Sequence, residues 1–196
     1  MEYKSPDYWP KEFEYTPLPF SNDINLNILS HLLYTGNDRD NERIHPLIEE
    51  KSVHSHLTIN KITDEDHPLS KGAQTHYGVF ATEEIKKGND LGTFGGIVRL
   101  MPKGWKEKSE KCDYALVMDL GHFTYVIDGK KWANEMVLMN DYRGISKNPN
   151  VHFKTIIHRG RYYPMFYAAK EIEKGDELVW DYGDQYWQHT KAKPAQ

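Results

Sequence analysis

Cysteine is almost missing. Cys112 is the single one among 196 residues. One thiol excludes a disulfide within the chain and any zinc site built from several cysteines. It fits a reducing compartment. Nothing near Cys112 marks it as an activated nucleophile, so it reads as a small inert residue. Long apolar runs are missing too, and none approaches the roughly 20 residues of a membrane span. The first 20 residues, MEYKSPDYWPKEFEYTPLPF, are acidic and broken by proline, unlike a signal peptide. A nuclear or cytoplasmic protein away from membranes is therefore expected. Positive charge is not in excess either: 25 Lys and Arg stand against 29 Asp and Glu, a net charge of −4. With no long basic patch, direct nucleic-acid binding is not expected, and a mildly acidic surface suits a basic substrate. The hydrophobic share is low, 38%, but 13 Tyr, 7 Phe and 5 Trp compensate, because aromatic side chains bury large areas. A chain of this length is expected to form one domain with an N-terminal appendage.

Residues 1–23 are rich in Pro, Tyr and Phe and read as an extended arm laid over a body, not as a packed element. Asn25 to Tyr34 has the apolar spacing of a short helix, with Asp23 as N-cap and Gly36 as its stop. The stretch NDRDNER is a solvated loop. Leu57, Ile59 and Ile62 are candidates for burial in one or two strands. His54 and His56 share an i, i+2 spacing but lack a third ligand, so no metal is expected.

From Tyr77 onward the pattern is β. Residues 80–91, FATEEIKKGNDL, and 167–178, YAAKEIEKGDEL, follow one template. Each reads as a strand, a glycine turn and a return strand, that is, a hairpin. Two copies are too few for a solenoid. Further strands are expected from Tyr114 to Met118, Phe123 to Ile127, Val151 to Ile157 and Tyr162 to Tyr167, and a short helix over Trp132 to Leu138. Residues 188–196 read as a disordered tail.

The stretch NEMVLMNDYRGISKNPNVHF, residues 134–153, concentrates the polar puzzle. Met136 to Met139 is a four-residue apolar run, most simply a buried segment. Asn140, Asp141 and Asn150 at its margins need partners, because buried polar groups without hydrogen bonds are costly. Those partners are either backbone groups, as in ordinary turn chemistry, or a ligand.

Three blocks then occur in order: YGVFATEEIKKGNDLGTFGG, then IDGKKWANEMVLMND followed by NPNV, then YAAKEIEKGDELVWDYG. From about residue 58 to 187 they resemble the SET-domain family of protein lysine methyltransferases, in its stand-alone form without cysteine-rich zinc segments. The resemblance implies a mainly β (α+β) fold of several small sheets with short helices. Residues 1–57 would be an N-terminal extension, partly helical, and 58–187 the catalytic domain. It implies S-adenosylmethionine as cofactor and a lysine-bearing protein as substrate, a histone tail by family precedent. Tyr182 matches the catalytic tyrosine and Tyr114 the tyrosine lining the lysine channel. Tyr77 and Gly78 match the cofactor loop, and Asn140 the cofactor-binding asparagine. Asp141 stands where most members have His. Trp132 sits where members often place an aromatic near the cofactor. Phe94, Trp180 and Trp187 are candidate channel walls, with Tyr186 beside Trp187. The chain departs from the pattern where His76 replaces the first glycine of the cofactor loop and Val137 replaces a common Arg. A silent peptide-binding module and a methyltransferase of a non-histone protein are the other readings.

Overall fold

The computed structural model describes residues 5–21, 56–70, 75–103, 114–121, 123–158 and 161–189. The helix expected over Asn25 to Tyr34, the loop NDRDNER, His54 and Cys112 lie outside the described residues. In chain order the strands are β1 (Glu14–Tyr15), β2 (Pro19–Phe20), β3 (Leu57–Lys61), β4 (Tyr77–Ala81), β5 (Asp90–Thr93), β6 (Gly96–Pro102) and β7 (Ala115–Asp119). They continue as β8 (Phe123–Asp128), β9 (Trp132–Ala133), β10 (Asn140–Asp141), β11 (Val151–His158), β12 (Arg161–Ala168) and β13 (Val179–Trp180). One α-helix, α1 (Asp184–His189), is present among the described residues. The strands form small sheets of two to four members, the expected mainly β arrangement. Among the described residues no helix is long and apolar enough to cross a membrane.

The chain divides into two compact units. The first takes in Met1–Val53, Gly92–Val137 and Phe153–Phe166. Its four-stranded sheet runs β2-β6-β8-β7, with β6, β8 and β7 antiparallel and β2 parallel to β6. Along β7 the side chains alternate: Leu116 and Met118 point into the core while Val117 and Asp119 are exposed, the period-two pattern of a half-buried strand. A three-stranded sheet in the order β11-β12-β5 takes the other expected strands. The segment expected as a helix over Trp132 to Leu138 splits into β9 and a 3-10 turn at Glu135–Leu138.

The N-terminal arm is extended, but it is packed, contrary to expectation. β1 pairs in parallel with β9, the Thr16 N–H donates to the Ala133 carbonyl at 2.8 Å, and Tyr15 and Thr16 are buried. The proline-rich composition hid this, because two-residue strands leave no readable alternation. Aromatic anchoring does the work instead. Trp9 packs its ring edge-on to Tyr15 and donates its indole N–H to the Phe13 carbonyl. The Tyr8 hydroxyl donates to Glu135, a fully buried carboxyl, at 2.9 Å.

The second unit takes in His54–Leu91, Leu138–His152 and Tyr167–Gln196. β3 and β4 form an antiparallel pair, with Leu57 and Ile59 buried as expected. Ile62 is partly exposed. β10 and β13 form a parallel pair. The two repeated templates do not fold as hairpins. β4 pairs with β3, and β5 joins the sheet of β12. The templates bind each other instead. Gly88 N–H donates to the Ala168 carbonyl and Gly175 N–H to the Ala81 carbonyl, both at 2.8 Å. Ala81 N–H reaches the Asp176 carbonyl and Ala168 N–H the Asn89 carbonyl, both at 3.0 Å. Each bond has its counterpart at the matching template place, so the pair has a local two-fold symmetry. Gly88 and Gly175 turn the chain at φ 86° and 92°, a region open to glycine and strained for other residues. Helix α1 runs past Trp187 into the stretch expected as a tail.

Candidate functional site

The site in the second unit begins with a two-residue strand. β10 contains only Asn140 and Asp141, registered against Val179 and Trp180 of β13. The preceding run Met136 to Met139 is buried, as its composition implies. Parallel pairing with β13 carries residues 181 and 182 alongside 141. Asp141 then becomes a hub. Its Oδ1 accepts the Arg143 N–H at 2.9 Å. Its Oδ2 accepts the Arg143 guanidinium at 2.8 Å, the Tyr182 N–H at 2.9 Å and the Trp187 indole N–H at 3.3 Å. Arg143 also reaches Asp181 at 2.7 Å. Desolvation works against the guanidinium charge, but hydrogen bonds to Asp181 and Asp141 outweigh it and raise the Arg143 pKa above its ordinary value.

The Tyr182 hydroxyl donates to the Met139 carbonyl at 2.7 Å. Its ring lies 5.0 Å from Trp180, tilted by 55°, and meets Tyr186 edge-on at 4.8 Å. Tyr186 in turn meets Trp187 at 5.2 Å and 90°. Trp180 is buried. Four aromatic rings thus run in series from β13 to α1, and Asp141 holds the run at Tyr182 through its backbone N–H and at Trp187 through its indole N–H.

Asn140 faces the other way. Its amide nitrogen donates to the Tyr77 carbonyl at 2.9 Å and to Glu177 Oε1 at 2.8 Å. Asn150 is a scaffold: its amide donates to the Glu177 carbonyl and accepts the Val179 N–H, both at 2.8 Å. The three polar residues that needed partners all found protein groups, and Asn140 alone points to the loop at Tyr77. A side chain at Gly78 would have to push its neighbours aside. A Cβ there would stand 2.7 Å from Glu177 Oε1 and 2.9 Å from Ile62 Cδ1.

Seven of the ten residues singled out from sequence therefore lie in one unit: Tyr77, Gly78, Asn140, Asp141, Trp180, Tyr182 and Trp187. Tyr114, Phe94 and Trp132 belong to the first unit. The Tyr114 ring meets Phe13 of the N-terminal arm edge-on at 5.2 Å. Phe94 is buried and stacks on Phe166 at 6.4 Å, the contacts of a core residue. Trp132 meets Phe20 edge-on at 5.6 Å, with the Lys131 ammonium 5.8 Å over its ring.

The SET domain profile matches residues 76–183, more than half of the chain. This chain belongs to the SET-domain family. N-lysine methyltransferase KMT5A-A of Danio rerio is 26% identical to it over 123 residues, 60% of this chain and 35% of that protein. PR domain zinc finger protein 14 of Mus musculus is 29% identical over 119 residues, 60% of this chain and 20% of that protein. The SET domain here thus spans about a third of the first relative and a fifth of the second. The Chaetomium thermophilum polycomb repressive complex 2 shares the fold, with a TM-score of 0.52 and 19% identity over 70% of this chain and 16% of that one. The same complex in an autoinhibited conformation bound to S-adenosylmethionine gives a TM-score of 0.51, again with 19% identity, 70% of this chain and 16% of that one.

Two departures of this SET domain have visible surroundings. Val137, at the place of a common Arg, is buried with its methyl groups against Gly129, where a Cβ would stand 2.6 Å away. His76 keeps a backbone role, its carbonyl accepting the Ile62 N–H. Sequence reasoning missed four residues. Glu177 lies in the second repeated template, where local pattern does not mark it out. His67 and Phe13 sit in segments without periodicity. Asn134 binds Gly95 N–H and the Thr93 and Pro17 carbonyls from a fully buried position, and a lone polar residue inside WANEMVLM was its only signal.

Proposed function

We propose that this SET domain is an S-adenosylmethionine-dependent protein-lysine N-methyltransferase. One observation supports the reading above all. Tyr182 and Asn140, distant in sequence, are tied together at one dipeptide: the Tyr182 hydroxyl binds the carbonyl of Met139, and the next residue is Asn140. The donor set fits the cofactor. With both amide protons committed, Asn140 Oδ1 accepts a bond from none of the described residues and suits an ammonium donor. The carboxylate of Glu177 and the faces of Trp180 and Tyr182 suit a cation.

S-adenosylmethionine, when bound, would supply a methyl group on a cationic sulfonium for in-line displacement by a neutral lysine amine, the broken S–CH3 bond leaving S-adenosylhomocysteine and the positive charge passing to the methylated nitrogen. The residues of this chain have to make that amine available. Free lysine titrates near ~10.4, so neutrality at physiological pH requires roughly three units, or about 4 kcal/mol. Aromatic walls that strip water from the ammonium disfavour its charged form. Trp180, Tyr182, Tyr186 and Trp187, all in the second unit, provide such walls. The Tyr182 hydroxyl orients the amine lone pair and receives weak C–H···O contacts from the methyl. Alignment then supplies much of the rate. Trp180 narrows the channel and favours the lower methylation states. The substrate is a histone tail, entering as an extended strand at a sheet edge, a choice that rests on family precedent and the mild acidity of the chain. Residues 58–187 form the catalytic domain, with residues 1–57 as its extension.

Burial of Val137 in place of an Arg favours a second reading, a silent module that binds peptide without cofactor. Calorimetric titration with S-adenosylmethionine separates the two. Micromolar binding, lost in Asn140→Ala, followed by methylation of histone peptides that disappears in Tyr182→Phe, is the expected result. Absence of heat with the wild-type protein, together with peptide binding, would establish the silent module.

A further inference from the structure

The His67 imidazole has a defined tautomer. His67 leads into the 3-10 turn Pro68–Ser70, and its Nδ1 accepts the Leu69 N–H at 3.2 Å. The ring proton is therefore on Nε2, which stands 3.0 Å from Glu177 Oε2 and donates to it. The turn holds the ring in place from its backbone as well: the His67 carbonyl accepts the Ser70 hydroxyl at 2.7 Å and the Ser70 N–H at 3.0 Å, and its own N–H binds the Asp64 carbonyl. The His67 and Glu177 side chains are only 11% and 8% exposed.

Glu177 passes this order on. Its second oxygen accepts one Asn140 amide proton at 2.8 Å, while the other proton goes to the Tyr77 carbonyl at 2.9 Å. A carbonyl and a carboxylate only accept, so the amide of Asn140 has one permitted orientation, with Oδ1 outward. The same Oε1 would lie 2.7 Å from a Cβ at Gly78, so the carboxylate fills the space beside that glycine. A neutral imidazole holds the carboxylate by donation and leaves its charge uncancelled, close to the one residue on which the cofactor reading depends.

We propose that His67 and Glu177 are positioning residues of the cofactor site: Glu177 fixes the acceptor face of Asn140 and supplies a stationary negative charge for a cationic cofactor, and His67 holds Glu177 in place. The proposal rests on the methyltransferase reading above. Loss of the His67 link is expected to lower cofactor affinity on the order of tenfold, about 1.4 kcal/mol.

The test uses the full chain and two probes, S-adenosylmethionine and S-adenosylhomocysteine. They share the amino-acid and nucleoside parts, but only the first carries the sulfonium charge. His67→Ala should weaken both about tenfold and raise KM for the cofactor without raising KM for the peptide. His67→Gln, which restores an N–H donor, should recover most of the loss. Glu177→Gln, which keeps an acceptor for Asn140 and removes the charge, should weaken S-adenosylmethionine more than S-adenosylhomocysteine. Thermal midpoints of all variants guard against simple unfolding. If wild-type protein binds the cofactor but His67→Ala binds it as tightly, or His67→Gln restores nothing, or Glu177→Gln weakens both probes equally, the positioning role is overturned while the enzyme reading stands. If wild-type protein binds neither probe, the enzyme reading and the positioning role both fail.

Discussion

Ile85 and Ile172 occupy the same place in the two repeated templates and exchange both backbone hydrogen bonds, Ile85 N–H to the Ile172 carbonyl at 2.9 Å and the reverse at 3.0 Å. Both side chains are buried, Ile172 completely. The pair sits at the centre of the local two-fold that locks residues 81–89 to 168–176.

Truncating either side chain should therefore loosen the whole lock. Ile172→Ala is expected to cost about 2–5 kcal/mol, the range for a buried aliphatic residue cut to Ala. The double variant with Ile85→Ala should deviate from additivity by about 0.5–3 kcal/mol, because the two residues share one contact. Urea denaturation of the four proteins measures both. Strict additivity would show that the two side chains do not couple the templates.

Gly78→Ala tests the closeness of Glu177 to the loop. The new methyl group would displace Glu177 Oε1, Ile62 or Phe80, all within 3 Å of its ideal place. A stability loss of about 1–3 kcal/mol is expected from overpacking. A larger relative loss should appear in cofactor titration, since the displaced carboxylate also orients Asn140.

Asp141→Ala removes the acceptor for two backbone N–H groups, the Trp187 indole and one arm of Arg143. Leaving buried donors unsatisfied costs about 1–3 kcal/mol each, and part of that returns through water and the remaining Arg143–Asp181 pair. A net loss on the order of 3 kcal/mol is expected, measured by denaturant unfolding. Asp141→Asn keeps an acceptor and should lose less. Equal losses would assign the effect to charge instead of hydrogen bonding.

Glu135 should make stability depend on pH. Burial raises its pKa above the usual carboxylate range, with the Tyr8 hydrogen bond opposing in part. The folded state thus holds its proton to a higher pH than the unfolded chain does. Stability from this group is full below the ordinary carboxylate pKa, about 4.3, and falls as pH rises toward the raised value in the folded protein. Glu135→Gln has no such proton to lose. The stability difference between Glu135→Gln and wild type should grow in favour of the variant from about pH 4 upward, up to that raised pKa. A difference independent of pH in urea titrations would show that Glu135 does not titrate in this way.

Much of the site was legible because its residues lie in short, spaced blocks. Asn140, Asp141 and Tyr182 each follow a recognisable apolar or glycine-marked segment, and burial of Met136 to Met139 follows from composition alone. The hairpins were misread for a physical reason. Local pattern shows that a strand, a turn and a second strand exist, but not which strand each will pair with. His67 and Phe13 were illegible because their importance comes only from what they touch.

By itself the sequence determined the strand-rich class, the buried run before Asn140, the turns at Gly88 and Gly175 and the identity of the candidate chemical groups. These depend on local composition and on steric rules that act over a few residues. Tertiary structure alone decided that the templates lock to each other, that the N-terminal arm is packed through Tyr8 and Tyr15, and that a neutral His67 reaches Asn140 through Glu177. Those arrangements depend on contacts between residues far apart in the chain, where hydrogen-bond geometry and close packing select among pairings that the local pattern leaves equal.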